Sequence, residues 1–304
     1  MIATIASHQI LALRRQRVLL VLLTAFVAAT ALAGILGWSS QRTIVRVFDE
    51  ATRQLAATGA PAPPNPFVLK PNLALLSNMV VYVPLLGALF AVVLGHLAIA
   101  DDENTGIGRM LFSRPLSRAS YAAGKMISLA VVLAGVLVAS LAVSLVALVV
   151  VNNGITAGEL VRLADFYAVS WLYLLPFALI GMITVLLTRS RSLALLSGIG
   201  VWLVITFAVP QFTSGLRPTQ SLNPIIENIG LSQAFFRFTA HAQPLSVVEQ
   251  YKSASGVILD TAAPEPITAT LLSIAPLIAF LVVLAALTVR LIHTHDFSRS
   301  AGNE

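Results

Sequence analysis

The chain has 304 residues, of which 57% are hydrophobic and only 11% charged, with a formal net charge of +6. A soluble domain carries about 25% charged residues, so a surface this poor in charge must largely face lipid. That excludes a soluble globular enzyme, a disordered chain and a nucleic-acid-binding domain. The chain has no cysteine, which also excludes disulfides, thiolate nucleophiles and Cys-ligated metals.

In chain order, residues 1–17 come first as a leader. Ile2, Ile5, Ile10 and Leu13 are apolar and the basic residues gather at its end, the pattern of a helix lying in the membrane interface. Six stretches then reach the ~20 apolar residues that a helix needs to cross a bilayer. They cover about residues 18–37, 78–100, 126–151, 167–187, 193–212 and 269–292. Lipid offers no partner for a free backbone group, so each run must satisfy itself as a helix. The runs are continuously apolar and do not alternate in period two, which argues against a membrane barrel. The predicted fold is all-α, with six transmembrane helices behind an interfacial helix.

Within the first span Ala25, Ala29 and Ala33 recur every four residues and Gly37 extends the row, a small-residue face suited to close helix packing. Ala31-Leu32-Ala33 fits a signal-peptidase site, but the long basic lead and the apolar run on to Gly37 fit a retained helix better. Residues 38–77 form a long loop that holds an amphipathic candidate, Ile44, Val47, Phe48, Ala51 and Leu55 at helical spacing. A proline-rich breaker follows at residues 61–66. Residues 213–268 form the second long loop, with apolar patches at Pro224–Leu231 and Phe235–Phe238. Pro84, Pro210 and Pro276 all fall toward the end of the bundle that bears these loops, while Pro176 lies near mid-span. Together with Phe235 and Phe236 they mark that end as a candidate gate, because an internal proline kinks or breaks its helix.

Lys and Arg set the orientation. With both termini cytoplasmic, eleven basic residues lie on the shorter inner loops and tails and eight on the outer side. Five acids fall inside and eight outside, so the inner face holds the whole excess of +6. The charge is a topology signal and needs no nucleic acid to explain it.

Motifs for chemistry are few, and each is incomplete. Gly124-Lys125 lacks the preceding glycine and the following Ser/Thr of a phosphate loop, and it opens a membrane span. Asp101-Asp102-Glu103 has no further acids to build a two-metal diphosphate site; topology, capping of the following segment or pairing with a local Arg explains it. His293 and His295 lie in a polar tail without further ligands. The chain is therefore expected to be no enzyme, to hold no metal and to need no cofactor of its own.

The stretch from Asp101 to Lys125 carries the most specific pattern. It places Glu103, then Gly106, a short apolar run Met110-Leu111-Phe112, then Ser113-Arg114-Pro115-Leu116-Ser117-Arg118, and Gly124-Lys125 at the next span. This resembles the cytoplasmic loop between the second and third helices of ABC-2 type ABC transporter permeases. The whole chain resembles the single-domain bacterial permeases of that family, such as that of the nitrous-oxide-reductase maturation system. The resemblance implies a transmembrane subunit in the cytoplasmic (inner) membrane that works with two copies of a separate ABC ATPase. It also implies a second permease subunit, as a homodimer. ATP and Mg would be bound on the ATPase. Glu103, Gly106, Met110, Leu111, Phe112, Arg114, Pro115 and Arg118 would form the docking element, with the apolar run entering a groove and the charges fixing register. The cargo is expected to be amphipathic or hydrophobic, since the spans are almost free of charge. The outer loops offer a surface for an extracytoplasmic partner. A secondary transporter or scaffold without an ATPase is the alternative; it calls for acids or broken helices at the midplane, and the spans contain no such acids.

Overall fold

The computed structural model describes residues 2–15, 17–58, 71–104, 117–152, 154–188, 190–213, 242–261 and 267–295. Among these residues the secondary structure is helical, and six helices are long and apolar enough to cross a membrane. The leader is α1 (Ile2–Arg15), and it turns into span one through Arg17 in a left-handed conformation, φ 58°. Span one is α2 (Val18–Ala57), a single helix of 40 residues. At a rise of about 1.5 Å per residue it measures about 60 Å, twice the hydrocarbon thickness. The amphipathic candidate at residues 44–55 is therefore the continuation of span one and not a separate element.

A short 3₁₀ turn, Asn72–Leu76, leads into span two. That span is built from α3 (Met79–Tyr82), a π turn at Val83–Gly87 and α4 (Ala88–Asn104). Span three is α5 (Arg118–Asn152) and span four α6 (Ala157–Leu187). Span five joins α7 (Arg191–Leu203), a second π turn at Val204–Ala208 and α8 (Val209–Thr213). Helix α9 (Val247–Ile258) lies in the second long loop, and α10 (Ile267–Thr294) is span six. Spans three and four start earlier than their apolar runs because the flanking residues are good helix formers with their own caps. Thr156 and Glu159 form a reciprocal capping box, with Thr156 N–H donating to Glu159 Oε2 at 2.7 Å. The helical ends of the 101–125 segment also shorten it: residues 101–104 extend α4 and residues 118–125 open α5.

The core forms around spans two and four, whose most apolar stretches are 67% and 78% buried, against 22%, 17% and 11% for spans three, five and six. Glycine makes this possible. A Cβ on Gly95 would collide with the Ala178 carbonyl, and one on Gly181 with the Val92 carbonyl. The two backbones thus touch at both crossings, which is how helices associate where lipid removes the hydrophobic drive. The small-residue face of span one also turns inward, with Ala29 and Ala33 buried, Ala25 half-buried and Gly34 beside Ala147 of span three. Gly37 abuts the backbone of Leu75.

Gly181→Ala is expected to lower the unfolding temperature of the detergent-solubilised chain, at a cost of about 1–3 kcal/mol for overpacking. Gly135, whose Cβ would meet nothing within 4 Å, should accept alanine without loss. Thermal-shift curves for the two variants side by side check the expectation.

Candidate functional site: a buried ion pair at the basic end

The end of the bundle where spans two and six finish and spans three and five begin collects the basic side chains. Its centre is an ion pair between Lys125 Nζ and Asp102 Oδ2 at 2.7 Å, with side chains only 2% and 7% exposed. These are the only buried Asp, Glu, Lys or Arg side chains among the described residues. Tyr121, one turn before Lys125, donates its hydroxyl to the same Asp102 oxygen at 2.7 Å, and the lysine also donates to Gln9 Oε1 of the leader. A lone charge buried this way costs several kcal/mol. Here two further polar side chains complete the coordination of the pair, so it is stable only as a set.

Three sequence segments therefore meet in one network. Span two supplies Asp102, span three supplies Tyr121 and Lys125, and α1 supplies Gln9. The leader seats closely because the neighbour of Lys125 is Gly124, where a Cβ would lie 2.8 Å from Ile5 Cβ. The leader's buried residues, Ala6, Gln9 and Leu13, repeat at three and four, so one helical face points at span three. The Gly-Lys pair that fails as a phosphate loop thus works as a seat for the leader.

Two arginines tie the remaining helix ends. Arg118, the first residue of α5, donates through Nη1 to the carbonyls of Ile292 at 3.3 Å, His293 at 2.6 Å and His295 at 2.9 Å. These are carbonyls at the C-terminal end of span six, where the helix lacks partners and its dipole is negative. Arg191, the first residue of α7, donates to Ala100 O near the end of span two at 3.3 Å. Arg118 thus has a structural role besides any docking role.

Of the other sequence-predicted docking residues, Glu103 lies in the last turn of α4. Gly106, Met110, Leu111, Phe112, Arg114 and Pro115 lie outside the described residues, as do the gate candidates Phe235 and Phe236. Pro84 sits inside the first π turn and Pro210 is buried just after the second. Pro176 and Pro276 stay within continuous α-helix. Sequence reasoning missed Gln9 and Tyr121, and it offered a local Arg as the partner of the acidic cluster where Asp102 pairs with Lys125. The readable signal was an acid closing one apolar run and a lysine just before the next.

Helix α9 was missed too, although Ser246 followed three residues later by Glu249 is a start signal, and Ser246 Oγ does accept the Glu249 amide at 3.3 Å. At the opposite end of the bundle α9 packs on spans four and six. Its Tyr251 is fully buried, shares a hydrogen bond of 2.9 Å with Ser170 and lies 4.6 Å from the Tyr173 ring. Burial pushes the Tyr251 phenol well above its ordinary range, so it stays neutral. The buried contacts of the opposite end are thus neutral hydroxyls and rings, with an exposed ion pair between Arg162 and Asp260 beside them, where the basic end buries its charges.

A comparison with known families now decides what the bundle is. The pattern of the ABC-2 family transporter protein matches residues 3–297, nearly the whole chain. The chain belongs to the ABC-2 transporter family. It is accordingly a multi-pass membrane permease of an ABC transporter, a class that associates with an ABC ATPase subunit. Comparison with curated proteins gives no match.

Lys125→Met leaves Asp102 charged and buried, and is expected to destabilise this ABC-2 permease by about 3–5 kcal/mol. The double variant Asp102→Asn, Lys125→Met should recover a large part of that loss. Thermal unfolding of both variants and of Asp102→Asn alone measures the coupling as a double-mutant cycle.

Proposed function

We propose that the basic end faces the cytoplasm and that the segment between Asn104 and Ser117 docks the ATPase, with two copies of each subunit in the working transporter. The excess of Lys and Arg on the loops and tails of this end supports the orientation. One observation carries the coupling role: the segment is fixed at both flanks. On its N-terminal side Asp102 is locked to span three and, through Lys125, to the leader. On its C-terminal side Arg118 holds span six. A partner that displaced the segment would therefore move spans two, three and six and α1 together.

The chain itself carries out no covalent chemistry in this reading. ATP and Mg are bound by the partner, and the permease converts movement at its basic end into exposure of cargo. A cargo with a large apolar part suits spans that expose Leu193, Leu196, Leu203, Val204 and Phe207 along span five. Export from the cytoplasmic side fits the placement of the irregular turns in the half of the bundle away from the ATPase. The long extension of span one and the second long loop offer a surface to an extracytoplasmic partner. A transporter driven by a proton or ion gradient would call for a buried acid near the midplane; the buried acid among the described residues, Asp102, lies at a helix end.

Purification of the tagged chain from its own membranes is expected to bring down a chain with ATP-binding motifs in equal amount, identified by mass spectrometry. Glu103→Lys combined with Arg114→Glu should lower that recovery by at least about ten-fold, as rim charges govern association, while membrane insertion and thermal stability stay unchanged. Full recovery of the ATPase by this double reversal would defeat the docking assignment.

A further inference from the structure

The two π turns among the described residues are joined by a single side chain. In span two the amide of Ala88 donates to the Val83 carbonyl, five residues back, rather than to Pro84, four residues back. The wide turn so formed leaves the Pro84 carbonyl free of that bond. The buried indole of Trp202 takes it, with Nε1–H donating to Pro84 O at 3.1 Å. Trp202 stands two residues before the second wide turn, in span five, where the Val209 amide in the same way reaches back to Val204 O. Its ring also meets Phe207 inside that turn edge-on, with centroids 5.6 Å apart and planes at 88°. One residue thus touches both turns, the first by hydrogen bond and the second by ring contact.

The hydrogen bond belongs to one register only. Were span two to return to α geometry at this point, Ala88 would claim the Pro84 carbonyl and the indole N–H would lose its partner. An unpaired polar group in hydrocarbon is costly, so Trp202 favours the wide register in its neighbour. The second turn faces outward, where the exposed side chains of Leu203, Val204 and Phe207 line a shallow groove open to the surroundings of the bundle. Phe207 can shift into it without displacing packed core. Single π turns inside α-helices recur at functional sites.

We propose that the two π turns form one hinge and that Trp202 is its coupling residue, so that spans two and five change register together. The inference deepens the proposed transport function by naming where the half of the bundle away from the ATPase bends. The hinge itself can be tested without any transport assay.

Coupling is reciprocal, and the experiment uses that. In the full-length chain in lipid nanodiscs, Trp202→Phe removes the donor and keeps most of the ring. Hydrogen exchange at residues 85–89 of span two should then rise about five-fold, the worth of one hydrogen bond, while Ala98 and Ile99 remain unchanged. Pro84→Ala perturbs the other partner. With Trp38→Phe and Trp171→Phe leaving Trp202 as the one remaining tryptophan, Pro84→Ala should shift its emission to the blue and alter exchange at residues 205–209. An effect of Trp202→Phe confined to span five, or a Pro84→Ala variant with unchanged Trp202 emission, would overturn the hinge. If Trp202→Phe does not fold, the Pro84→Ala emission decides alone. With the ATPase present, Trp202→Phe should slow transport about five-fold at unchanged subunit association. Coupled exchange with unaltered transport would leave the hinge standing and remove the transport reading instead.

Discussion

A charge pair buried at the end of a lipid-embedded bundle constrains everything around it. Lys125 and Asp102 cannot be separated without leaving a bare charge in a place that water barely reaches, so the helices that carry them must stay together. The pair also cannot be moved independently of Tyr121 and Gln9, because each satisfies a hydrogen-bonding position that would otherwise be empty. Several kcal/mol thus hang on one small region. Four elements, the leader, the end of span two, the start of span three and the segment between those spans, answer to it. A docking segment anchored by exposed side chains alone would shift without consequence for the membrane part. The segment proposed to dock the ATPase is flanked instead by Asp102 and Arg118, groups that pull on three spans.

Charge at one end and irregular backbone at the other give the bundle a mechanical polarity. At the basic end, Arg118 and Arg191 reach from the starts of spans three and five to carbonyls near the ends of spans six and two. A guanidinium serves here because its planar set of donors can serve several carbonyls at once. At the opposite half, spans two and five each carry a π turn, and the buried fastening passes to hydroxyls and aromatic rings, beside an exposed ion pair of Arg162 with Asp260. Neutral contacts such as Tyr251 with Ser170 contribute about 1 kcal/mol each, well below the cost of separating a buried ion pair. The same bundle is therefore stiff where it meets the proposed ATPase and compliant where a gate would stand.

The sequence shows the fold far more clearly than the site, for a physical reason. A span is announced by 20 consecutive residues that each say the same thing, so the six helices and the short N-terminal helix could be read directly. Their ends could not, since capping by Thr156 and Glu159 or Ser246 and Glu249 rests on two or three polar residues that occur in loops as well. The ion pair was hidden by separation: Asp102 and Lys125 lie on either side of a loop, and Gln9 is more than ninety residues from both. Arg118 was legible as part of a family-like pattern, but nothing in its surroundings announced that it would reach the end of span six. The prolines were legible as sources of irregularity, and Pro84 and Pro210 do sit at π turns. Pro176 and Pro276 do not; their helices run through them as α-helix.

Helix α9 shows how the two ends can be linked without a flexible path. It packs against span six, whose far end is gripped by Arg118, and against span four, which is locked to span two through Gly95 and Gly181. Span six is one continuous helix of 28 residues, so a displacement at its basic end has no π turn in which to be absorbed. Span two, by contrast, contains such a turn. Movement of the docking segment would then arrive at the opposite end by two routes of unequal stiffness, undiminished along span six and reduced along span two. The difference between them must be taken up where α9 sits, between a helix that follows the push and one that lags behind it. A neutral tyrosine on a serine is well suited to that position, because it can exchange partners with little cost, while the half-exposed ion pair between Arg162 and Asp260 keeps the end of α9 beside span four.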